Sequence, residues 1–393
     1  MQSDKSLKVY FMSNACEEGR LNTARLKIYS KQAGFNCTNK LEQADLVMFY
    51  PCGHLNHNDS EAADIIKKIN EHKKPSARLI VWGCLPKINP ESIKEIYNGP
   101  MVGPEEWDFF SELFNQPREQ INQVYANTPC SRGKTLSLQG KLNIFKFEKL
   151  YCHIGRTWYI KIVSGCTKCC TYSSDRLVYK QAISVPIDSI LKQFEQGLAT
   201  NCKHFYFVGR DLGSYGYDVD STLADLLNKI AEAYPNQTYK ISLFNVSPDS
   251  LVALYPKISQ TVLSKRIFQI GSHIQSGSKD VLKQMGKTFE FDDWKKVLLE
   301  IGKKYPNIRV ATSIMVGFPG ETEEDFTKTA HLLRNIPFDR IDLYAYDERP
   351  NLPSLKQKGR VSQQTIIARW TKANRLLKVN ILKRRIKKIR ILY

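Results

Sequence analysis

The chain has 393 residues, of which 42% are hydrophobic and 25% are charged, as is ordinary for a globular protein of two or three domains. Its 58 lysines and arginines exceed its 39 aspartates and glutamates, giving a formal charge of +19 that favours RNA or an acidic protein surface as partner. No apolar run reaches the roughly 18 residues of a membrane-spanning helix, and the polar start has no signal-peptide core. We therefore expect a cytoplasmic protein without a membrane anchor.

Strand and helix patterns alternate through residues 1–115. The predicted strands are residues 9–12, 44–50 and 79–82, and the predicted helices are residues 18–34, 59–72 and 90–97. This alternation predicts an N-terminal domain built on an open parallel α/β sheet. Residues 116–150 are polar, with scattered proline, asparagine, serine and glycine, and are predicted to form a linker.

A second alternating stretch occupies residues 151–355. Its predicted strands are residues 158–163, 205–208, 240–244, 266–270, 309–316 and 341–344. Six or more βα units predict a full or partial TIM-type barrel, with its functional site at the carboxyl ends of the strands. Residues 356–393 are predicted to form a helical tail with six basic residues between Lys383 and Arg390. A solvated helix end and a phosphate-binding arm explain that charge equally well.

Ten cysteines in a cytosolic chain are expected to stay reduced. Three of them each follow a predicted strand of the first domain by a few residues, and we call them the N-terminal triad: Cys16, Cys52 and Cys84. Parallel strands end at one edge of a sheet, so three thiolates there suit three irons of an iron–sulfur cluster and leave a fourth iron open. Three half-buried structural cysteines are the alternative, which explains any one position but not the repeated placement. The other isolated cysteines are expected to be ordinary thiols: Cys37, Cys130, Cys152 and Cys202.

Three further cysteines crowd behind the first strand of the second domain, at Cys166, Cys169 and Cys170. Such crowding in a cytosolic protein indicates metal or redox chemistry. A zinc ribbon would need a second Cys-x-x-Cys pair, and a thioredoxin-like motif would open a helix in a much smaller fold. Neither alternative fits well.

At these cysteines the chain resembles the methylthiotransferase family of radical S-adenosylmethionine enzymes. Cys166 and Cys170 match the first two cysteines of the family's Cys-x3-Cys-x2-Cys motif, and Tyr172 matches the aromatic residue before the third. The N-terminal triad falls where the family has its auxiliary-cluster cysteines. Three further segments resemble family segments: residues 208–216, with Arg210 where glutamine is usual, residues 274–285, and residues 314–326.

The resemblance implies two [4Fe–4S] clusters and S-adenosylmethionine as cofactors. The second-domain cluster would bind S-adenosylmethionine and cleave it reductively to a 5′-deoxyadenosyl radical. The auxiliary cluster would carry the sulfur that is delivered, as a thio or methylthio group, to an unactivated C–H carbon of a peptide, protein or RNA. The implied partners are that macromolecule and an electron donor such as flavodoxin or ferredoxin. The implied cofactor-binding residues are Tyr172, Arg210, Asp211, Ser313, Gly317 and Glu321.

The chain departs from the family at Ser173, which stands where the third cysteine belongs. A serine hydroxyl ionises reluctantly and is a harder ligand than a thiolate. Cys169 as replacement ligand, Ser173 as an alkoxide ligand, and a labile or missing cluster are all open; the last is favoured, because adjacent cysteines would strain the loop. A chain without this cluster would be a degenerate paralogue that binds an anionic partner.

Two other departures flank the motif and the end of the chain. The Arg-Gly that usually follows the motif is absent, and Asp175-Arg176 stands there instead. Family members usually continue into a small β-barrel that binds RNA or the target protein. After Pro353 this sequence predicts a helix at about residues 363–388, which is too short a stretch for that barrel.

Overall fold

The computed structural model describes residues 6–130 and 157–392, with only the backbone described for residues 122 and 381–392. The chain divides into two compact units. The N-terminal unit comprises Met1–Ile160, Leu177–Tyr179 and Arg349–Asn351, and the C-terminal unit comprises Lys161–Arg176, Lys180–Glu348 and Leu352–Tyr393. Each unit is described by itself below.

The N-terminal unit is built on a five-stranded sheet with the strand order β2-β1-β3-β4-β5. Its elements are β1 (Lys8–Ser13), α1 (Glu17–Gln32), β2 (Asn36–Thr38), β3 (Leu46–Tyr50), α2 (Asn56–His72), β4 (Arg78–Trp82), α3 (Leu85–Ile88), α4 (Glu91–Lys94), β5 (Met101–Val102), α5 (Trp107–Phe114) and α6 (Arg118–Gln123). Every strand pair in this sheet is parallel. The predicted parallel α/β architecture is therefore confirmed.

The central strand β3 is buried along its whole length, which explains its uninterrupted apolar sequence. Successive side chains of a strand point to opposite faces. Met48 and Tyr50 accordingly belong to the apolar cluster that includes residues of α1 and α5. Val47 and Phe49 belong to the cluster that includes residues of α2. Helices thus cover both faces of the sheet.

The structure differs from the sequence-based prediction at the proposed linker of residues 116–150. Residues 118–123 form α6, and Ile121 and Val124 are buried in the core of the N-terminal unit. Arg25 donates from Nε to the carbonyl of Ile121 at 3.1 Å. The stretch is polar apart from a few apolar residues, so its sequence did not indicate that Ile121 and Val124 pack into the core. The packed N-terminal unit therefore extends beyond the predicted boundary at residue 115. Residues 131–150 lie outside the described part of the chain.

From Thr157 onward, the strands of the main sheet follow one another in chain order, β6-β9-β10-β11-β12-β13. The elements are β6 (Thr157–Lys161), β7 (Val163–Ser164), α7 (Asp175–Val178), β8 (Ile183–Ser184), α8 (Ile187–Ala199), β9 (His204–Val208), α9 (Leu223–Ala233), β10 (Lys240–Leu243), α10 (Pro248–Leu254), β11 (Ile267–Gly271), α11 (Lys279–Gln284), α12 (Phe291–Lys304), β12 (Arg309–Val316), α13 (Glu323–Asn335), β13 (Arg340–Ala345) and α14 (Gln363–Leu392). Strands β9 to β13 pair in parallel. Sequential parallel strands joined by helices are the arrangement of a partial βα barrel.

The predicted C-terminal helix is present as α14, and its described half packs against α13 and β13. The basic side chains between Lys383 and Arg390 lie outside the described side chains, so the predicted phosphate-binding arm stays a prediction. Among the described helices, none is long and apolar enough to cross a membrane.

Candidate functional site

The strand order places the N-terminal triad at one edge of the first sheet. Cys16 follows β1 and precedes α1, Cys52 follows β3 by two residues, and Cys84 follows β4 by two residues. Strands β1, β3 and β4 are neighbours and run parallel. Their carboxyl ends therefore lie side by side, which is where open α/β sheets bind ligands.

Contacts between the loops tie these three positions together. The Cys52 amide donates to Oδ1 of Asn14, in the loop after β1, at 3.0 Å. The Tyr50 hydroxyl lies 3.6 Å from Sγ of Cys84. The same tyrosine ring packs so closely on Gly19, in the first turn of α1, that a Cβ there would lie 2.8 Å from ring atom Cε1. Tyr50 thus contacts Cys84 directly and also packs against α1, the helix that Cys16 immediately precedes.

Within the described residues, no three histidine, cysteine, aspartate or glutamate side chains converge closely enough to hold a single metal ion. A mononuclear site would require such convergence. A cluster spreads its thiolates over separate irons. That the three sulfurs share one cluster stays a prediction.

Cys166 occupies the loop after β7 in a half-buried position. Its Sγ accepts from the Lys168 amide at 3.3 Å and lies 4.0 Å from Oδ2 of Asp211. Burial, and then the negative charge of Asp211, raise the pKa of Cys166 to about 12. A thiol ligates iron as the thiolate, so binding here releases a proton.

Asp211, predicted to bind a cofactor, is the centre of a hydrogen-bond network. Its carboxylate accepts from the Gly213 amide at 3.0 Å, from the Ser214 hydroxyl at 2.9 Å, and from the amide and hydroxyl of Ser247 at 2.9 and 3.0 Å. Ser214 also accepts from the Thr167 amide at 3.1 Å. Residues 165–174, between β7 and α7, form the cysteine loop. The described contacts of Asp211 hold the start of this loop, and the contact of Asp211 with a cofactor stays a prediction.

The cysteine loop is anchored on both sides of Cys169. Lys168 forms an ion pair with Asp249. Beyond Cys169, the Thr171 amide donates to the Met285 carbonyl and the Thr171 hydroxyl to the Gln284 carbonyl, both at 3.0 Å. Between these anchors Cys169 is exposed.

At the third cysteine position of the Cys-x3-Cys-x2-Cys motif, this chain has the hydroxyl of Ser173 instead of a thiol. Ser173 Oγ lies 3.4 Å from Oδ2 of Asp175 and accepts from the Asp175 amide at 3.4 Å. Arg210 Nε lies 3.5 Å from the other carboxylate oxygen of Asp175. Two neighbouring departures from the family pattern, Ser173 and Asp175, thus meet a third, Arg210, that lies 35 positions further along the chain.

Tyr172 lies between the motif and the end of β12. Its side chain is hydrogen-bonded to Cys170, and burial followed by the charge of Cys170 raises its pKa well above the ordinary value. Its ring packs edge-on against Phe318 with centroids 6.4 Å apart. These contacts place Tyr172 beside the second motif cysteine, as the sequence motif predicts.

The other predicted cofactor-binding residues surround the end of β12. Ser313 accepts from Nε2 of Gln275 at 2.9 Å. The Gly317 amide donates to the buried Glu321 carboxylate at 2.7 Å, and Arg369 of α14 pairs with the same carboxylate at 2.9 Å. Through these contacts, Gly317 and Glu321 connect the end of β12 to α14. Their contact with a cofactor stays a prediction.

Sequence reasoning missed Ser214, Ser247 and Arg369. A Ser-Pro pair before α10 marks Ser247 as a helix start. Nothing in the sequence indicates that its hydroxyl turns back to Asp211.

Two family models and several known proteins match this chain. The model of the radical SAM superfamily matches residues 160–333, and that of the uncharacterized protein family UPF0004 matches residues 8–102. The threonylcarbamoyladenosine tRNA methylthiotransferase MtaB of Thermotoga maritima is 27% identical over 79% of this chain and 68% of its own length. The ribosomal protein uS12 methylthiotransferase RimO of Carboxydothermus hydrogenoformans is 26% identical over 93% of this chain and 81% of its own length.

Among solved structures, the radical S-adenosylmethionine methyltransferase TsrM from Kitasatospora setae shares the fold. The TM-score is 0.62 at 11% identity, over 89% of this chain and 77% of that one. Fold, cysteine motif and family models together define a radical S-adenosylmethionine enzyme. Within that class, the chain belongs to the methylthiotransferase family, which uses two [4Fe–4S] clusters and S-adenosylmethionine.

The N-terminal triad supplies the three thiolates that one cluster needs, and the second set supplies two of the three that the other needs. The N-terminal triad offers three cysteines at one sheet edge, and Cys166 and Cys170 lie close enough for the charge of one to raise the pKa of the other. The second set lacks a third thiolate at Ser173.

Proposed function

We propose that the chain transfers sulfur, as a thio or methylthio group, to an unactivated C–H carbon of a macromolecular substrate. The proposal rests on two separate cysteine sets, one at the edge of the parallel N-terminal sheet and one in the loop that follows β7. When bound, the two clusters supply one-electron cleavage of S-adenosylmethionine and the sulfur to be transferred. A flavodoxin or ferredoxin suits the role of electron donor.

The protein's own part is to order the loop that carries Cys166 and Cys170. Asp211 and Ser214 hold the start of the loop. Thr171 holds its end by hydrogen bonds to the carbonyls of Gln284, the last residue of α11, and of Met285, the residue that follows it. Such anchoring keeps ligands in position without rearrangement when the cofactor binds. Gln275 and Ser313 add polar groups at the neighbouring strand ends.

The substrate is proposed to be RNA or protein. The names of the relatives give a transfer RNA in one case and a ribosomal protein in the other. The net charge of +19 suits an RNA-containing target. The relatives are sulfur-transfer enzymes and give no support to a degenerate, purely binding paralogue. We place the activity in the cytoplasm, where reductants keep cysteines free.

The test is to reconstitute the chain anaerobically with iron and sulfide and add reductant and S-adenosylmethionine. Formation of 5′-deoxyadenosine is expected. Incubation with total transfer RNA and, separately, with ribosomal proteins is expected to leave a sulfur-containing mass increment on one of the two. A chain that holds its full iron and cleaves no S-adenosylmethionine would exclude the proposed reaction.

Restoring the missing thiolate is expected to strengthen the second cluster. The Ser173→Cys chain should lose iron to a chelator more slowly than the unmodified chain, and should form 5′-deoxyadenosine faster, because a thiolate is a softer ligand than oxygen. The gain should disappear when Cys170 is also replaced by alanine. Equal rates of iron loss and equal cleavage rates in the unmodified and Ser173→Cys chains would contradict this prediction.

A further inference from the structure

The third corner of the second cluster is unassigned once Ser173 replaces the cysteine. Ligands of iron–sulfur clusters are anionic, and a serine hydroxyl must lose a proton to become so. A carboxylate is already an anion at neutral pH and accepts only, with no proton to lose. It also carries the same single negative charge as the thiolate it would replace. A nearby carboxylate is therefore a better oxygen ligand than the serine itself.

Asp175 is that carboxylate. Its Oδ2 lies 3.4 Å from Ser173 Oγ, at the motif position where the third thiolate belongs. Its Oδ1 faces Arg210 at 3.5 Å, which leaves Oδ2 as the oxygen on the motif side. The side chain is 23% exposed, so it is held in place without being sealed off.

Asp175 also lies on the same side of the loop as the two motif cysteines. After burial and Asp211, the charges of Cys170 and Asp175 both contribute to raising the pKa of Cys166. The same two charges act on Tyr172. Asp175 is thus close enough to the group formed by Cys166, Cys170 and Tyr172 to act on it electrostatically.

Cys169 is placed less well for this role. It is exposed, between the Lys168–Asp249 ion pair and the hydrogen bonds of Thr171. Adjacent ligands at Cys169 and Cys170 would also strain the loop.

We propose that the carboxylate of Asp175 is the third protein ligand of the S-adenosylmethionine cluster, with Ser173 and Arg210 orienting it. This inference rests on the proposed function, because it assumes that the second cluster is present. It explains why Ser173, Asp175 and Arg210, at three positions that depart from the family pattern, occur together. A harder oxygen ligand makes that corner the one from which iron is lost first.

The experiment measures iron, acid-labile sulfide and the electron paramagnetic resonance spectrum of full-length chains reconstituted anaerobically. The unmodified chain is expected to hold about eight irons, the content of two [4Fe–4S] clusters. Asp175→Asn, which keeps size but loses the charge, is expected to hold about four. Adding Ser173→Cys to Asp175→Asn is expected to restore about eight, because the thiolate replaces the lost ligand.

Three control variants separate ligation from structure. Asp292→Asn removes an exposed carboxylate that is also paired with a cation, Lys279, and should keep all the iron. Arg210→Gln removes a residue that orients Asp175 but leaves the carboxylate in place, so it should lose less iron than Asp175→Asn; a loss equal to that of Asp175→Asn would show that only the ion pair matters and would overturn the proposal. Cys169→Ala should be silent, and loss of about four irons there would make Cys169 the ligand instead.

Failure of the ligand assignment and failure of the proposed function give different results. Full iron in both the unmodified and Asp175→Asn chains overturns the assignment and leaves the proposed function standing. About four irons in the unmodified chain, with no second cluster signal, overturns both.

Discussion

Replacing Cys170 by alanine is expected to reduce 5′-deoxyadenosine formation by more than about 100-fold, since even the loss of an outer-shell partner costs a metal site 10- to 100-fold. Cys170 is hydrogen-bonded to Tyr172, and its charge acts on Cys166, so its removal takes a ligand from the centre of the second set. The measurement is the initial rate of 5′-deoxyadenosine formation under reductant.

The matched control is the neighbouring Cys169→Ala. The two cysteines are adjacent in sequence, yet Cys169 is exposed whereas Cys170 is half-buried among the motif residues. The control should retain the rate of the unmodified chain. A Cys170→Ala chain that keeps more than about a tenth of that rate would remove Cys170 from the ligand set.

Replacing Arg349 by methionine is expected to destabilise the N-terminal unit by roughly 3–5 kcal/mol. Arg349 is 2% exposed, and its two terminal nitrogens bind the two carboxylate oxygens of Asp59 at 2.8 and 2.9 Å. Its Nη1 also donates to Asn56 at 2.7 Å. Methionine preserves much of the apolar bulk but leaves a largely buried carboxylate without its cation, which is the costly part of the change.

The measurement is the urea dependence of unfolding of the metal-free chain, followed by near-ultraviolet circular dichroism. Lys279→Met, which breaks the exposed pair with Asp292, is the control and should leave the free energy of unfolding nearly unchanged. An Arg349→Met chain no less stable than this control would show that Arg349 does not stabilise the unit. Because Asp59→Asn removes the charge instead, combining it with Arg349→Met should recover part of the loss.

Most strands of the two larger sheets were predictable because they are short apolar runs. The predicted strand at residues 44–50 contains the observed β3. Its sequence Leu-Val-Met-Phe-Tyr is a short continuous apolar run, which is typical of a fully buried strand. The strands β2 and β5 have only three and two residues, too few to show an apolar or alternating strand pattern in the sequence. Residues 116–130 were mistaken for linker because Ile121 and Val124 are isolated apolar residues in polar sequence.

The cysteines of the site were predictable from their spacing and their place after strands, whereas their surroundings were not. Asp211 follows β9, but its partner Ser247 comes from beyond β10, and only the strand order brings the two together. Likewise Arg210 and Asp175 are 35 positions apart in sequence and meet through the fold. Local pattern cannot show such contacts, because they depend on the register of strands that the sequence does not state.

Our proposal that two separate cysteine sets each hold a cluster can be tested by a single measurement. Iron and acid-labile sulfide are counted per chain, after anaerobic reconstitution, in the unmodified protein and in Cys16→Ala, Cys52→Ala and Cys84→Ala. We expect about eight irons in the unmodified chain and about four in each variant, with reductive cleavage of S-adenosylmethionine retained. Cys37→Ala, on β2 of the same sheet, should hold as much iron as the unmodified chain. Full iron in the three triad variants, or loss in only one of them, would contradict a shared cluster at the sheet edge.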